Sequence, residues 1–407
     1  MSSHINNPPI LLLPNEITAK IFTHCLPELP SADSHLLLRC PSPREATLLL
    51  GQICGQWRDI CIGTPVFWSS IAFAKGSIQL LELWLSRARD HPLTIFLQMN
   101  DARADMLMKA IMVHRSRWRD VTLVLPVGAL HQLSMSSLPR LERLTLRTND
   151  LHLDPPIIIR DTPLLRYADL SFLPQLDLPF EQLTTLHSSL SFNATQAVGI
   201  LRRCPNLLDL FWGRGFIFDA PILPPIELPC LRSLATDDGN LLHFLTVPRL
   251  ERLEMSTHRA EAETLRLLML RSSCDLRVFS LKDTDRTHKN QLQNLLCTVS
   301  TVMHLKLERA SIETQMPALR GADVLPQLEH LEICESLSGE DSRPLLDELW
   351  RRHTQGTLKS LRLSLKTWPN GHEPRVPSAD AMATFRALSE GGLRVRVTAA
   401  EVVILDL

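Results

Sequence analysis

Ten segments of this chain repeat one pattern, L-x-x-L-x-L, in complete or degraded form. A complete copy is Leu141-Glu142-Arg143-Leu144-Thr145-Leu146. Others begin at Leu165, Leu183, Leu207, Leu231, Leu250, Leu276, Val302, Leu328 and Leu358, so that successive starts lie 18 to 30 residues apart. The last two apolar positions of the unit alternate with x residues. That is the period of a short strand with one face buried and the other outward. A single such strand cannot bury its hydrocarbon. Each fully buried leucine stabilises the fold by roughly 1.5–3 kcal/mol, so stacked copies are needed to outweigh chain entropy. The pattern therefore demands an array in which each unit packs on its neighbours.

The segments between copies carry helical periodicity. Glu261–Ser272 presents Leu265, Leu268 and Met269, Gln291–Ser300 presents Leu292, Leu295, Leu296 and Val299, and Arg343–His353 presents Leu345, Leu346, Leu349 and Trp350. One strand and one helix per unit stack in a right-handed sense. Upstream, Ser77–Arg89 and Ala104–Ser116 read as helices, each followed by a strand at Leu93–Leu97 and Val121–Leu125. Downstream, Asp380–Glu390 reads as the last helix, Leu393–Val397 as the last strand and Glu401–Leu407 as a short apolar finish. The stretch from Trp368 to Pro374 reads as a loop.

The N-terminal stretch has a different grammar. Pro14 suits a first helical position and Glu16 the positive end of the helix dipole. Ile17, Ile21 and Cys25 then form a stripe broadened by Phe22 and Leu26. Ser42-Pro43-Arg44-Glu45 reads as a capping box opening a second helix, with Leu49, Ile53, Trp57 and Ile60 on one face and Gly63-Thr64-Pro65 as its stop. Val66-Phe67-Trp68 and Ile71-Ala72-Phe73 are further apolar patches. Helices this short and this apolar need partners.

Two resemblances follow from these residues. The periodic region, with most spacings within or near 20–29 residues, resembles leucine-rich repeats. Leu13-Pro14-x-Glu16-Ile17 with Ile21-Phe22, then Ile53-Cys54-x-x-Trp57-Arg58-x-Ile60, then Thr64-Pro65-x-x-Trp68, resembles an F-box. The connection over residues 27–41 is longer than the compact F-box pattern. The combination resembles the large fungal F-box/leucine-rich-repeat group. The fold expected is α/β: a disordered stretch over 1–8, a helical F-box-like module over 9–73, and an irregular leucine-rich-repeat solenoid of short parallel strands and helices over 77–407. The resemblance implies docking of a Skp-type adaptor, and through it a cullin-RING ubiquitin ligase, by Leu13, Pro14, Glu16, Ile17, Ile21, Phe22, Leu26 and Trp57.

Composition narrows the partners. Hydrophobic residues make up 44% and charged residues 21% of 407, which suits a folded chain, and a net charge of −1 gives no bulk pull toward nucleic acid or anionic membrane. The basic run Arg115, Arg117, Arg119 is flanked by Asp105 and Asp120. No apolar run reaches the roughly 18 residues of a membrane span, and Ile10–Leu13 is too short and lacks the basic flank of a signal peptide. Nine cysteines without a CxxC pair read as free, buried thiols of an intracellular protein, cytoplasmic or nuclear. The sequon Asn193-Ala194-Thr195 carries little weight without a secretory signal.

Catalytic templates are missing. No G-x-S-x-G, P-loop or H-E-x-x-H occurs. Gly213-Arg214-Gly215 has Phe218 where a third glycine is needed. His24, Cys25, His35 and Cys40 match no zinc spacing, and Asp237-Asp238 and Glu340-Asp341 lie in loop-like stretches. No enzyme activity, metal or cofactor is expected.

Recognition is what remains. The x positions of the strands would line one open face: Arg143, Thr145, Arg147, Tyr167, Asp169, His187, Asp209, Phe211, Arg252, Glu254, His304, Lys306, Glu308, His330, Glu332 and Arg362. Tyr167 and Phe211, with the arginines, are the expected anchors for a protein substrate, since aromatic and arginine side chains dominate interface energetics. The alternative for each is an ordinary solvated strand face. Likewise, the alternative for the N-terminal helices is a cap over the repeat array with no ligase recruited. A cap would turn the apolar face of residues 14–26 inward, whereas an adaptor-binding element would leave it open.

Overall fold

The computed structural model describes residues 9–26, 46–74, 77–148, 155–170, 176–189, 194–213, 224–257, 261–282, 289–310, 316–321, 323–335, 343–365, 379–399 and 402–406. Several expectations lie outside these residues: the 1–8 stretch, the long connection over 27–41, the 42–45 capping box, His35, Cys40, Arg214 to Phe218, Glu340-Asp341 and the 368–374 loop. The chain divides into two compact units, Met1–Ser188 and Ser189–Leu407.

The first unit opens with three helices, α1 (Asn15–Thr23), α2 (Ala46–Ile53) and α3 (Gly55–Gly63). Six strands follow in spatial and chain order: β1 (Ser70–Phe73), β2 (Leu93–Gln98), β3 (Trp118–Val124), β4 (Arg143–Arg147), then β6 (Tyr167–Leu170) and β8 (Thr185–Ser188), all pairing in parallel. The two-residue strands β5 (Ile157–Ile158) and β7 (Leu176–Asp177) pair separately. Helices α4 (Ile78–Arg87) and α5 (Arg103–Met112) connect the early strands. Ser77 caps α4 by accepting from the Leu80 amide at 3.3 Å, as a Ser at that position should.

The second unit repeats the scheme with β9 (Asp209–Trp212), β11 (Ser233–Thr236), β13 (Arg252–Ser256), β14 (Val278–Lys282), β15 (His304–Ala310), β16 (His330–Glu335), β17 (Ser360–Leu365) and β18 (Arg394–Ala399), each parallel to the next. Here the small side pair is β10 (Ile226–Glu227) with β12 (Leu245–Thr246). The final strand, β19 (Val402–Asp406), runs antiparallel to β18 and so departs from the all-parallel expectation.

The repeat reading locates the strands closely. In all ten copies the strand begins two residues after the first apolar position: Leu141 leads to Arg143, Leu250 to Arg252, Val302 to His304, Leu358 to Ser360. The inward positions Leu144, Leu146, Leu186, Leu305 and Leu307 are fully buried. Helices and short turns linking parallel strands give a mixed α/β architecture, consistent with a leucine-rich-repeat-like solenoid.

Polar groups complete the layers. The Arg271 guanidinium donates to the Leu242 and Leu245 carbonyls of the preceding repeat. Arg352, itself 3% exposed, pairs with Glu348 at 2.7 Å and donates to the carbonyls of Leu319, Val324 and Leu325. Both arginines sit in the last turn of a helix, the Ala262–Ser272 and Arg343–Thr354 helices, and reach back to donate to the carbonyls of irregular backbone in the layer before.

Four expectations need correction. The helix expected to run through Leu49, Ile53, Trp57 and Ile60 is broken at Cys54, whose backbone is extended (φ −155, ψ 168). Gly51 and Gly55 flank the break, and glycine is the weakest ordinary helix former. The break also separates the face: Leu49 and Ile53 are exposed, Trp57 is half-buried and Ile60 is buried. Second, Ile71-Ala72-Phe73 belongs to β1, whose Ile71 and Phe73 are buried and whose backbone pairs with β2. Third, the helices expected at 104–116 and 291–300 are Arg103–Met112 and Lys289–Cys297, because their ends tighten into turns. Fourth, not every cysteine is buried: all eight described ones are free, but Cys25 and Cys297 are exposed.

Candidate protein-interaction surfaces

The N-terminal helices bury very little of their apolar surface. In α1 the inward residues are Thr18 and Phe22. The Phe22 ring meets Trp57 edge-on at 4.7 Å and Phe67 at 6.3 Å, forming a small aromatic core. Trp68 continues it inward, donating to the Cys61 carbonyl at 2.7 Å and packing on Trp84 of α4 at 4.7 Å. The expected stripe is thereby split. Ile17 and Ile21 lie one turn apart, about 100–140° around the helix from Phe22, and are 47% and 42% exposed. Ile10, Leu12, Leu49, Ile53 and Ile62 are exposed as well. Leu13 and Leu26 are half-buried, and Pro14 and Glu16 are exposed. Of the eight residues carried by the F-box resemblance, Phe22 therefore supports the core while Ile17 and Ile21 face water.

On the strand face of the first unit, the expected binding residues satisfy one another. Arg143 stacks over the Tyr167 ring at 3.8 Å and lies 3.4 Å from Asp120. The Tyr167 hydroxyl meets His187 Nδ1 at 3.3 Å, and Arg147 pairs with Asp169 at 2.9 Å. Thr145 and Asp169, expected on an open face, are buried. Long neighbours in the adjacent rungs cover them, since rungs lie only about 4.8 Å apart.

The strand face of the second unit is more open. Asp209 and Arg252 are exposed, and Phe211 is half-buried with the Lys282 ammonium 5.8 Å from its ring. Close ion pairs occupy the middle rungs, Lys282 with Glu254 at 2.5 Å and Lys306 with Glu308 at 2.6 Å. Burial works against both ammonium groups, but their carboxylate partners outweigh it and hold them above the ordinary lysine range.

Further along, the register aligns His304 with His330 and Ser360, and Glu332 with Arg362 and Arg396. The two imidazoles meet edge-on at 5.8 Å, and His330 Nδ1 lies 2.7 Å from the Ser360 hydroxyl. Burial lowers the His304 pKa, with Glu332 only partly offsetting it. These side chains, with Arg394, Arg396 and Asp406, line an open cavity of about 670 Å³. Arg394, Arg396 and Asp406 were not among the expected site residues. Their strands do not follow the L-x-x-L-x-L unit; the alternation Arg394-Val395-Arg396-Val397 was the available signal.

Among the described residues no group of three or more His, Cys, Asp or Glu side chains is placed to hold a metal ion. Nor is any helix among them long and apolar enough to cross a membrane.

No protein-family model matches the chain, and no curated protein does. Among solved structures, the chain is similar to the crystal structure of a TLR13–ssRNA13 complex, at 14% identity and a TM-score of 0.36. The match covers 67% of this chain and 38% of that one, so it spans well under half of the solved chain's length.

Proposed function

We propose that this protein is a substrate-receptor subunit of a cullin-RING ubiquitin ligase, with its N-terminal helices docking a Skp-type adaptor and its strand face holding a protein substrate. One observation carries the reading: Ile17 and Ile21 stay open to water on a helix whose other side is anchored by Phe22. An isoleucine pair kept exposed one turn apart suits a partner-binding face better than a self-contained cap. Leu13, Pro14, Glu16 and Leu26 flank that face, while Phe22 and Trp57 hold the helix in position.

The competing reading, an interaction scaffold whose N-terminal helices cap the repeats, draws support from the Trp68–Trp84 packing and from the pairing of β1 with β2. Co-purification of the full chain with the host's Skp-type adaptor separates them. The wild-type chain captures the adaptor, and Ile17→Glu with Ile21→Glu loses it while keeping the wild-type urea midpoint. Absence of capture by a folded wild-type chain, or undiminished capture by the variant, supports the scaffold instead.

A further inference from the structure

Among the described residues, the last rungs of the second unit carry more hydrogen-bond donors than there are acceptors placed to take them. Arg362 and Arg396 are register partners on adjacent strands, and Arg394 lies two residues before Arg396 on the same side of β18. Their acidic neighbours are few and badly placed. Arg362 lies 4.0 Å from Glu332, which also faces His304 at 3.9 Å, and Arg396 lies 3.9 Å from Asp406. Arg394 is exposed and has no ion pair among the described residues. Each guanidinium presents five donors in a planar fork, so three of them around two carboxylates at the limit of pairing distance leave most donors to water. The contrast with the middle rungs is direct, since there Glu254 and Glu308 contact their lysines at 2.5 and 2.6 Å. The surplus faces a concave space of about 670 Å³ to which Ser360 and His330 add polar groups.

We infer that the Arg362–Arg394–Arg396 cluster binds an oxyanion on an extended segment of a protein partner, either a carboxylate or a phosphoryl group. This rests on reading the strand face as the partner-binding face. A polynucleotide fits less well. Glu332 and Asp406 flank the Arg362–Arg396 pair on either side and would repel a run of phosphates. The cavity also lacks Phe, Tyr or Trp on which bases could stack.

The test is fluorescence anisotropy with the full chain and four labelled decapeptide or oligonucleotide probes: a Gly-Ser peptide, the same peptide with two phosphoserines, the same with two glutamates in their place, and single-stranded oligouridylate. Saturable binding of the phosphoserine or glutamate probe over the neutral one is expected, and which of the two is tighter identifies the source of the oxyanion. Arg394→Gln should weaken it by about tenfold, and Arg362→Gln with Arg396→Gln by more. Asp406→Asn should tighten it, because Arg396 loses its competing partner; a merely structural role for these residues predicts no gain. Equal affinity for the neutral probe, binding of oligouridylate alone, or affinity unchanged in folded arginine variants overturns the inference. Adaptor capture, measured on the same preparations, reports on the ligase reading separately: anionic-peptide binding without adaptor capture would leave this site standing and remove the ligase.

Discussion

In the strand ladders, an aliphatic residue and burial are nearly synonymous; in the N-terminal helices they part company. Leu144, Leu305 and Leu307 sit between flanking rungs and are fully buried, whereas Ile17, Ile21 and Ile53, of the same hydrophobicity, remain exposed. The difference teaches what each region is for. A repeat supplies its own partner surface on both sides, so every inward leucine is paired by construction. Three short helices have no such neighbours. Their small core, Phe22 with Trp57 and Phe67, covers one side of α1 and, among the described residues, leaves Ile17 and Ile21 exposed.

The sharpest way to break the comparison is at Arg352, where the ladder depends on a charge rather than on hydrocarbon. Arg352→Met leaves Glu348 in a buried site with Arg351 as its remaining partner, and three backbone carbonyls lose the guanidinium's hydrogen bonds. The expected loss is about 3–5 kcal/mol, read as a lower urea midpoint. A variant as stable as wild type would mean that packing alone holds the Leu319–Leu325 turn.

Neighbouring residues of α1 sharpen it next. Phe22→Ala empties an aromatic core and should cost about 3–5 kcal/mol of the local stability, whereas Ile21→Ala should stay within about 0.5 kcal/mol. Hydrogen exchange of the α1 amides distinguishes the two. Similar effects would mean that the Ile21 side is covered in the folded chain.

The smallest expected effect is on pH dependence. Burial depresses the His304 pKa below its ordinary 6.5, so the folded chain binds that proton less readily than the unfolded one. The associated stability is present above about pH 6.5 and falls as pH drops from there through the lowered folded value. Urea midpoints at pH 7.5 and pH 5.5 should therefore differ less in His304→Gln than in wild type. An unchanged difference would show that His304 is as well solvated as in the unfolded chain.

Much of the ladder was legible in advance. The period-2 placement of leucines located the ten repeat strands, because inward and outward positions alternate strictly and a slip by one would expose the whole apolar set. Outside the repeat copies the bounds were looser, the strand expected from Val121 beginning at Trp118. Helix ends were read less well: Cys54 breaks a helix that periodicity alone extended through Ile60. The outward residues were named without their fates. Arg143, Tyr167, Arg147 and Asp169 turned out to satisfy one another, while Arg394 and Arg396, outside the repeat pattern, complete the open cavity with His304, His330 and Arg362.

What the sequence determined by itself was the repeat: its strands and the leucines that lie inward, both consequences of local periodicity and the need to bury hydrocarbon. What only the tertiary structure decided was which polar residues on the outward face find partners, and which side of α1 is covered. On α1 the outcome depends on Trp57 and Phe67 packing against Phe22. On the strand face it depends on neighbours about 20 to 30 residues away in the chain, brought by parallel stacking to within a few ångströms. At that distance the length and charge of one side chain decide whether the next is buried, paired or left open to a partner.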